Sequence, residues 1–279
     1  MGSARARPAH RQVKGQTSVT RVGTRNARFQ QWQALLTNRT KRNRAGEFIV
    51  QGVRPITIAA ERGWPIRCLI HAGGRRLSSW AEGVLRGTGA ERVEMEPALL
   101  AELAGKDDAE LVAVVALPPD DLNRITPGGP VVVFDRPSDP GNIGTVVRSA
   151  DAFGASGVIV TGHAADVYDP KAVRASTGSL FAVPVVRVPS PAAVAEWAHA
   201  ADVRIIGTDE TGTHDVARHD LGGPVIIVIG NETRGMSAAW LAACDEVVRI
   251  PIGGAASSLN AASAATVVLY EAARQRKEK

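Results

Sequence analysis

Short runs dominated by Val and Ile recur through the second half of the chain, at 131–134, 158–160, 203–206, 225–229 and 247–250, with helix-length segments between most of them. Such runs predict parallel strands buried on both faces and joined by helical crossovers. Sheets of this kind hold ligands beyond the carboxyl ends of their strands, so the turns at 207–209, 230–232 and 251–253 are expected to line one site. The first half has a different pattern. A helix from Asn26 carries Phe29, Trp32, Leu35 and Leu36, and is followed by a strand at 47–50, an apolar helix near 56–60, and strands at 66–70 and 111–117.

Pro118-Pro119 and Pro127-Gly128-Gly129-Pro130 interrupt regular structure between the halves. The expected organisation is α/β throughout: a small N-terminal α/β domain over 25–118 and a parallel-sheet domain over 130–279. Residues 1–24 show no apolar periodicity and are expected to form a flexible basic arm.

Charge sharpens this division. The chain of 279 residues has a formal charge of +5, yet residues 1–46 contain eleven cations and no acid, so the rest is net acidic. A cationic segment on an acidic body suits a polyanion, and nucleic acid is the natural candidate. Arg25, Arg28, Arg39, Lys41, Arg42 and Arg44 are the candidate RNA contacts, with Phe29 and Trp32 as faces on which bases could stack. A solvated tail and an Arg-rich transit peptide are the alternative readings of the same segment. No apolar run approaches the roughly 18 residues of a membrane span, and no hydrophobic segment follows the basic N-terminus, so a cytoplasmic protein is expected. Cys68 and Cys244 form no CxxC pair, and His214 and His219, five apart, make a poor ligand pair, so no metal is expected.

Walker, GxGxxG, HExxH and GxSxG signatures are absent. Three other blocks carry the chemistry. Asp135 to Gly144 (DRPSDPGNIG) brings Asn142 to a helix start, where it is a natural cap. In the helix that follows, Ile143, Val146, Val147, Ala150 and Phe153 form an apolar stripe and Arg148 lies off it. The second block is Gly230-Asn231-Glu232-Thr233-Arg234-Gly235, and the third joins Ile250-Pro251-Ile252 to Ser257-Ser258-Leu259-Asn260.

In order and spacing these blocks resemble the three motifs of the SpoU branch of the SPOUT superfamily, S-adenosylmethionine-dependent RNA 2′-O-ribose methyltransferases. The stretch from Arg174 to Phe181 (RASTGSLF) is similar to the family's segment between motifs one and two. Gly46 to Gly52 (GEFIVQG) is similar to the start of its substrate-binding domain. Thr233 stands where the family often has Gly, and Gln51 where it often has Glu.

The resemblance implies a trefoil knot in the C-terminal domain and S-adenosylmethionine as cofactor, held by backbone groups near Thr208, Gly230, Asn231, Ile250 and Leu259. It also implies a catalytic shell of Arg148, Asn142, Glu232, Ser258 and Asn260, with Glu232 holding Arg148 or a loop amide. An arginine is a poor base, so a phosphate clamp is the role its chemistry favours for Arg148. The runs at 26–39, 163–170 and 270–276 resemble family members that methylate a uridine ribose of 23S rRNA and confer resistance to an orthosomycin antibiotic. A housekeeping tRNA or rRNA methyltransferase and a catalytically inactive RNA-binding protein are the alternatives. The last helix, expected at 258–273, is apolar on nearly every side, which a homodimer or burial within one chain would explain.

Overall fold

The computed structural model describes residues 20–278. The first domain comprises β1 (Thr20–Val22), α1 (Ala27–Thr37), α2 (Arg39–Ala45), β2 (Glu47–Gln51), α3 (Val53–Glu61), β3 (Ile66–Ala72), α4 (Ser79–Gly87), β4 (Glu91–Met95), α5 (Pro97–Ala104) and β5 (Leu111–Ala116). Its sheet has the order β1-β4-β3-β5-β2, in which β1, β4 and β3 pair in parallel and β5 is antiparallel to both its neighbours. Asn26 caps α1 by accepting from the Phe29 amide at 3.1 Å, and Phe29, Trp32 and Leu35, three apart, become its buried face.

Part of the expected arm is strand. Thr20–Val22 pairs with β4 and buries Val22, a long-range pairing that three residues of sequence do not announce. Residues 1–19 of that arm lie outside the described residues.

The second domain comprises β6 (Val131–Asp135), α6 (Pro140–Ala152), β7 (Gly157–Thr161), α7 (Pro170–Ala175), β8 (Val185–Val188), α8 (Pro191–Ala200), β9 (Arg204–Thr208), β10 (His214–Asp215), β11 (Val225–Ile229), α9 (Ala238–Ala243), β12 (Glu246–Arg249) and α10 (Ala261–Glu278). Its sheet runs β10-β12-β9-β11-β6-β7-β8, and every pairing is parallel. The runs in β6, β7 and β11 are buried on both faces because the strand alternation feeds two cores, whereas β12, near the sheet edge, buries only Val248. Val132 and Phe134 pack with Ile143, Val146 and the α10 residues Ala265 and Leu269, while Val131 and Val133 pack with Val194, Ala198 and Trp240. Gly144 lets α6 approach α7: a Cβ there would lie 2.3 Å from the Ala172 carbonyl oxygen.

Two expected boundaries move. Asp139, not Asn142, caps α6 by accepting from the Gly141 amide at 2.9 Å, with Pro140 in the first turn. That places Asn142 inside the first turn with its side chain free to reach other loops. The last helix starts at Ala261, not 258, because Asn260 caps it, accepting from the amides of Ala262 at 2.9 Å and Ser263 at 3.3 Å. Its inner stripe, Ala262, Ala265, Val268, Leu269 and Ala272, is buried within the chain, while Val267 and Tyr270 remain 38% and 57% exposed.

The domains share one core. Phe48 lies 4.8 Å from Tyr168 and Trp64 5.0 Å from Phe181, ring centre to ring centre, and the Trp64 indole donates to the Phe181 carbonyl at 3.0 Å. Arg42 of α2 is buried across the same seam, 2.7 Å from the Asp166 carboxylate, and donates to the Leu35 carbonyl at 2.7 Å. The Pro/Gly-rich stretch between β5 and β6 is pinned, since Arg124 donates to the Val185 carbonyl and Asp120 pairs with Arg187 at 2.8 Å.

Candidate active site

The loops that follow β9, β11 and β12 converge at the carboxyl edge of the second sheet and frame a cleft of about 520 Å³. Its walls include Thr208, Gly230, Asn231, Glu232, Ile250, Ser258 and Leu259, all expected from the sequence. Asp209, from the expected turn at 207–209, and Arg234, from the second block, also line it without an expected role, and Glu210 lies outside every expected turn and block. The signal for Glu210 in the sequence is position, in the loop beyond a recognisable strand.

Glu232 organises the motif loops. Its carboxylate accepts from the Ser138 amide at 3.0 Å, the Ser138 hydroxyl at 2.9 Å, the Asn142 amide group at 3.1 Å and the Asn231 amide group at 3.2 Å. Burial pushes the Glu232 carboxyl up, but the donors from Asn142 and Ser138 outweigh it and hold the group below the ordinary carboxylate value. Asn142 in turn accepts from the Asn260 side chain at 3.3 Å, so one residue from each of the three motifs joins a single hydrogen-bonded chain. Glu232 thus holds loop amides, and not Arg148.

Asn231, expected at the cofactor, has its side chain fully committed. It donates to the Arg136 carbonyl at 2.7 Å and accepts from the Thr233 and Arg234 amides at 3.0 Å each, closing the turn that ends at Gly235. Gly230 serves by having no side chain, because a Cβ there would sit 2.4 Å from the Met236 nitrogen. Ser258 is exposed in the loop before α10, on the cleft wall. Arg148 lies six residues beyond Asn142, about 9 Å along the axis of α6. It is exposed, outside the cleft lining, and has no hydrogen-bond or ion-pair partner among the described residues.

The candidate RNA contacts separate into three groups. Arg42 is 2% exposed and cannot meet RNA, and Phe29 and Trp32 are buried and cannot stack on bases. Arg25 pairs with Glu102 at 2.6 Å, Arg28 pairs with Glu91 while lying 4.8 Å from the Trp32 ring centre, and Arg39 donates to the Ala164 carbonyl at 2.7 Å. The acidic body neutralises much of this basic segment. Lys41 and Arg44 stay exposed, with no ion-pair partner among the described residues.

His214 and His219 come together despite their spacing. The chain turns back after β10, so both rings and Glu246 bring ligand-type atoms within 4.8 Å of one another. The His219 Nδ1 is 3.4 Å from the Glu246 carboxylate, while its buried Nε2 has no hydrogen-bond partner among the described residues.

A parallel sheet with a ligand cleft at its carboxyl edge, apolar walls and convergent carboxylates and amides defines an α/β enzyme that works on a nucleotide-type ligand. The model of the SpoU rRNA Methylase family matches residues 129–270, that of the SpoU L30e-like domain matches residues 26–113, and the chain belongs to the SpoU rRNA methylase family. It is 57% identical over 272 residues to the 23S rRNA (uridine(2479)-2′-O)-methyltransferase of Streptomyces viridochromogenes, covering 93% of each chain. The crystal structure of the SpoU methyltransferase AviRb from Streptomyces viridochromogenes in complex with the cofactor AdoMet superposes with a TM-score of 0.86 at 57% identity, covering 91% of this chain and 99% of that one. An AdoMet-bound rRNA methyltransferase from Sinorhizobium meliloti gives a TM-score of 0.83 at 31% identity, covering 92% and 98%.

Proposed function

We propose that this chain methylates the 2′-hydroxyl of a uridine ribose in 23S rRNA with S-adenosylmethionine as donor, and thereby protects the ribosome from an orthosomycin antibiotic. The observation that carries the reading is the hydrogen-bonded chain Glu232–Asn142–Asn260, which locks the three motif loops around one cleft. The cleft suits this cofactor. Ile229, Ile250 and Leu259 offer apolar contact to an adenine, and Asp209, Glu210 and Glu232 offer negative charge to a ligand carrying sulfonium and ammonium cations.

When bound, S-adenosylmethionine supplies a methyl carbon activated by its sulfonium. The chain's own residues position the acceptor. Glu232 fixes Ser138 and Asn142, and so sets where the α6 N-terminus and the loop after β6 stand against the cleft. Asn260 holds the start of α10 to Asn142, which fixes the loop carrying Ser258. Arg148, always charged and uncommitted within the described residues, serves as a bidentate clamp on the phosphate next to the target ribose and stabilises negative charge developing on its oxygen. A second copy of the chain covers the exposed Val267 and Tyr270 of α10, giving a homodimer. Membership of the SpoU family supports the trefoil knot expected of such a domain.

The test is methyl transfer from labelled S-adenosylmethionine to 23S rRNA and to tRNA, with the modified nucleotide mapped and the antibiotic susceptibility of a sensitive host measured. Methylation of one 23S uridine with gain of resistance is expected. Modification confined to tRNA would turn the reading to a housekeeping enzyme, and no cofactor binding would turn it to an RNA-binding protein. Arg148→Ala should cut transfer at least about a hundredfold with cofactor binding intact, and Arg148→Lys should not restore it.

A further inference from the structure

Helix α7 spans the gap between the cleft and the first domain, and it presents two exposed cations one turn apart on the same face, Lys171 and Arg174. Lys171 reaches Asp139, the cap of α6 at the active site, with its Nζ 2.8 Å from the carboxylate. Arg174 reaches the other way, donating from Nη1 to the Gln51 side-chain oxygen at 3.1 Å. Gln51 ends β2, and its amide nitrogen donates to the Leu103 carbonyl, which turns the oxygen toward Arg174.

The partners of these two cations differ in charge. A carboxylate neutralises Lys171, whereas a neutral amide holds Arg174, which has no ion pair among the described residues. A guanidinium carries five donors in a fixed fork, and the Gln51 contact uses one of them. The amide therefore orients the fork without cancelling its charge, and leaves donors for an outside anion.

We infer that Arg174 is a phosphate contact for the substrate RNA at the domain junction, and that Gln51 is the positioning residue that aims it. This rests on the proposed reading of the chain as an RNA methyltransferase. An RNA that places one ribose in the cleft must lay its neighbouring phosphates over the adjoining surface, and the α7 face lies between the cleft rim and the first domain. Lys171 is occupied by Asp139, so Arg174 is the cation of α7 available to that backbone.

The experiment measures binding of a 23S rRNA transcript by the full chain over a range of salt concentrations, for wild type, Arg174→Ala and Gln51→Glu, with thermal melting and methyl transfer recorded on each protein. Removing one phosphate contact makes the plot of log affinity against log salt shallower by about 0.7–0.9. Both variants are expected to show that drop, with affinity on the order of tenfold weaker at low salt. Gln51→Glu is the decisive variant. It keeps an acceptor for Arg174 and neutralises the guanidinium while giving up the donor to the Leu103 carbonyl, so it should bind RNA more weakly with the shallower salt slope whatever its melting temperature. A junction role alone predicts a different pattern: Arg174→Ala melts lower, and both variants keep the wild-type salt slope. That result would overturn the inference while leaving the enzyme reading intact. A wild-type protein that neither binds nor methylates 23S rRNA would overturn both.

Discussion

Arg42→Ala probes the seam between the domains. The wild-type guanidinium is 2% exposed, and the Asp166 carboxylate beside it is 6% exposed. Removing the arginine leaves Asp166 charged, buried and served only by the Tyr168 amide at 3.1 Å, and it strips a donor from the Leu35 carbonyl. Breaking a buried pair from one side costs about 3–5 kcal/mol, mostly as the penalty of the stranded charge. At roughly 2–4 °C per kcal/mol for a chain of this size, the melting temperature should fall by about 6–20 °C. Arg42→Met combined with Asp166→Asn removes both charges while keeping an acceptor for Tyr168, and should recover a substantial part of the loss. Circular dichroism melts of wild type, single and double variants give the values. The salt dependence of RNA binding by Arg42→Ala, taken below its melting range, should match wild type because the side chain never meets solvent. A single variant melting within about 2 °C of wild type, or a double variant no better than the single, would refute the reasoning.

Glu232 sets a pH dependence. Its folded pKa lies below the unfolded value, so its contribution is complete above the ordinary carboxylate pKa of about 4.3 and is lost as pH falls through the lower folded value. Glu232→Gln should therefore melt below wild type at neutral pH, by the order of 1–2 kcal/mol for the weakened acceptor, and the gap should close under acid. A gap that stays constant down to about pH 3 would assign the effect to packing. Gly230→Ala places a Cβ 2.4 Å from backbone atoms of both Gly235 and Met236, so the turn must open. Calorimetric affinity for S-adenosylmethionine should drop more than about tenfold, and an unchanged affinity would show that the turn can yield without reshaping the cleft.

Strands β6 and β11 are legible as Val/Ile runs because burial on both faces leaves no polar position to blur the pattern. β4 is not, since Glu91, Arg92 and Glu94 surround the two buried residues Val93 and Met95. The convergence of the three motif loops can be read from their place after strands. The cap of α6 falls three residues before its expected position because Asp139 and Asn142 are both good caps, and Pro140 favours the earlier one. Arg42 misleads for a deeper reason. Its partner Asp166 lies 124 positions away, and nothing local distinguishes a cation destined for burial from Lys41 beside it.

The ring cluster and ion pair at the seam bear on how proteins of this shape can change their targets. Grafting the first domain of another protein onto this second one would set a foreign surface against Asp166, Tyr168 and Phe181, stranding a carboxylate and opening voids. Exchange of recognition modules is thus disfavoured unless both halves of the joint travel together. Altered specificity is more accessible through point changes on solvent-facing loops and helices, where a single side chain can be swapped without disturbing how the halves are registered.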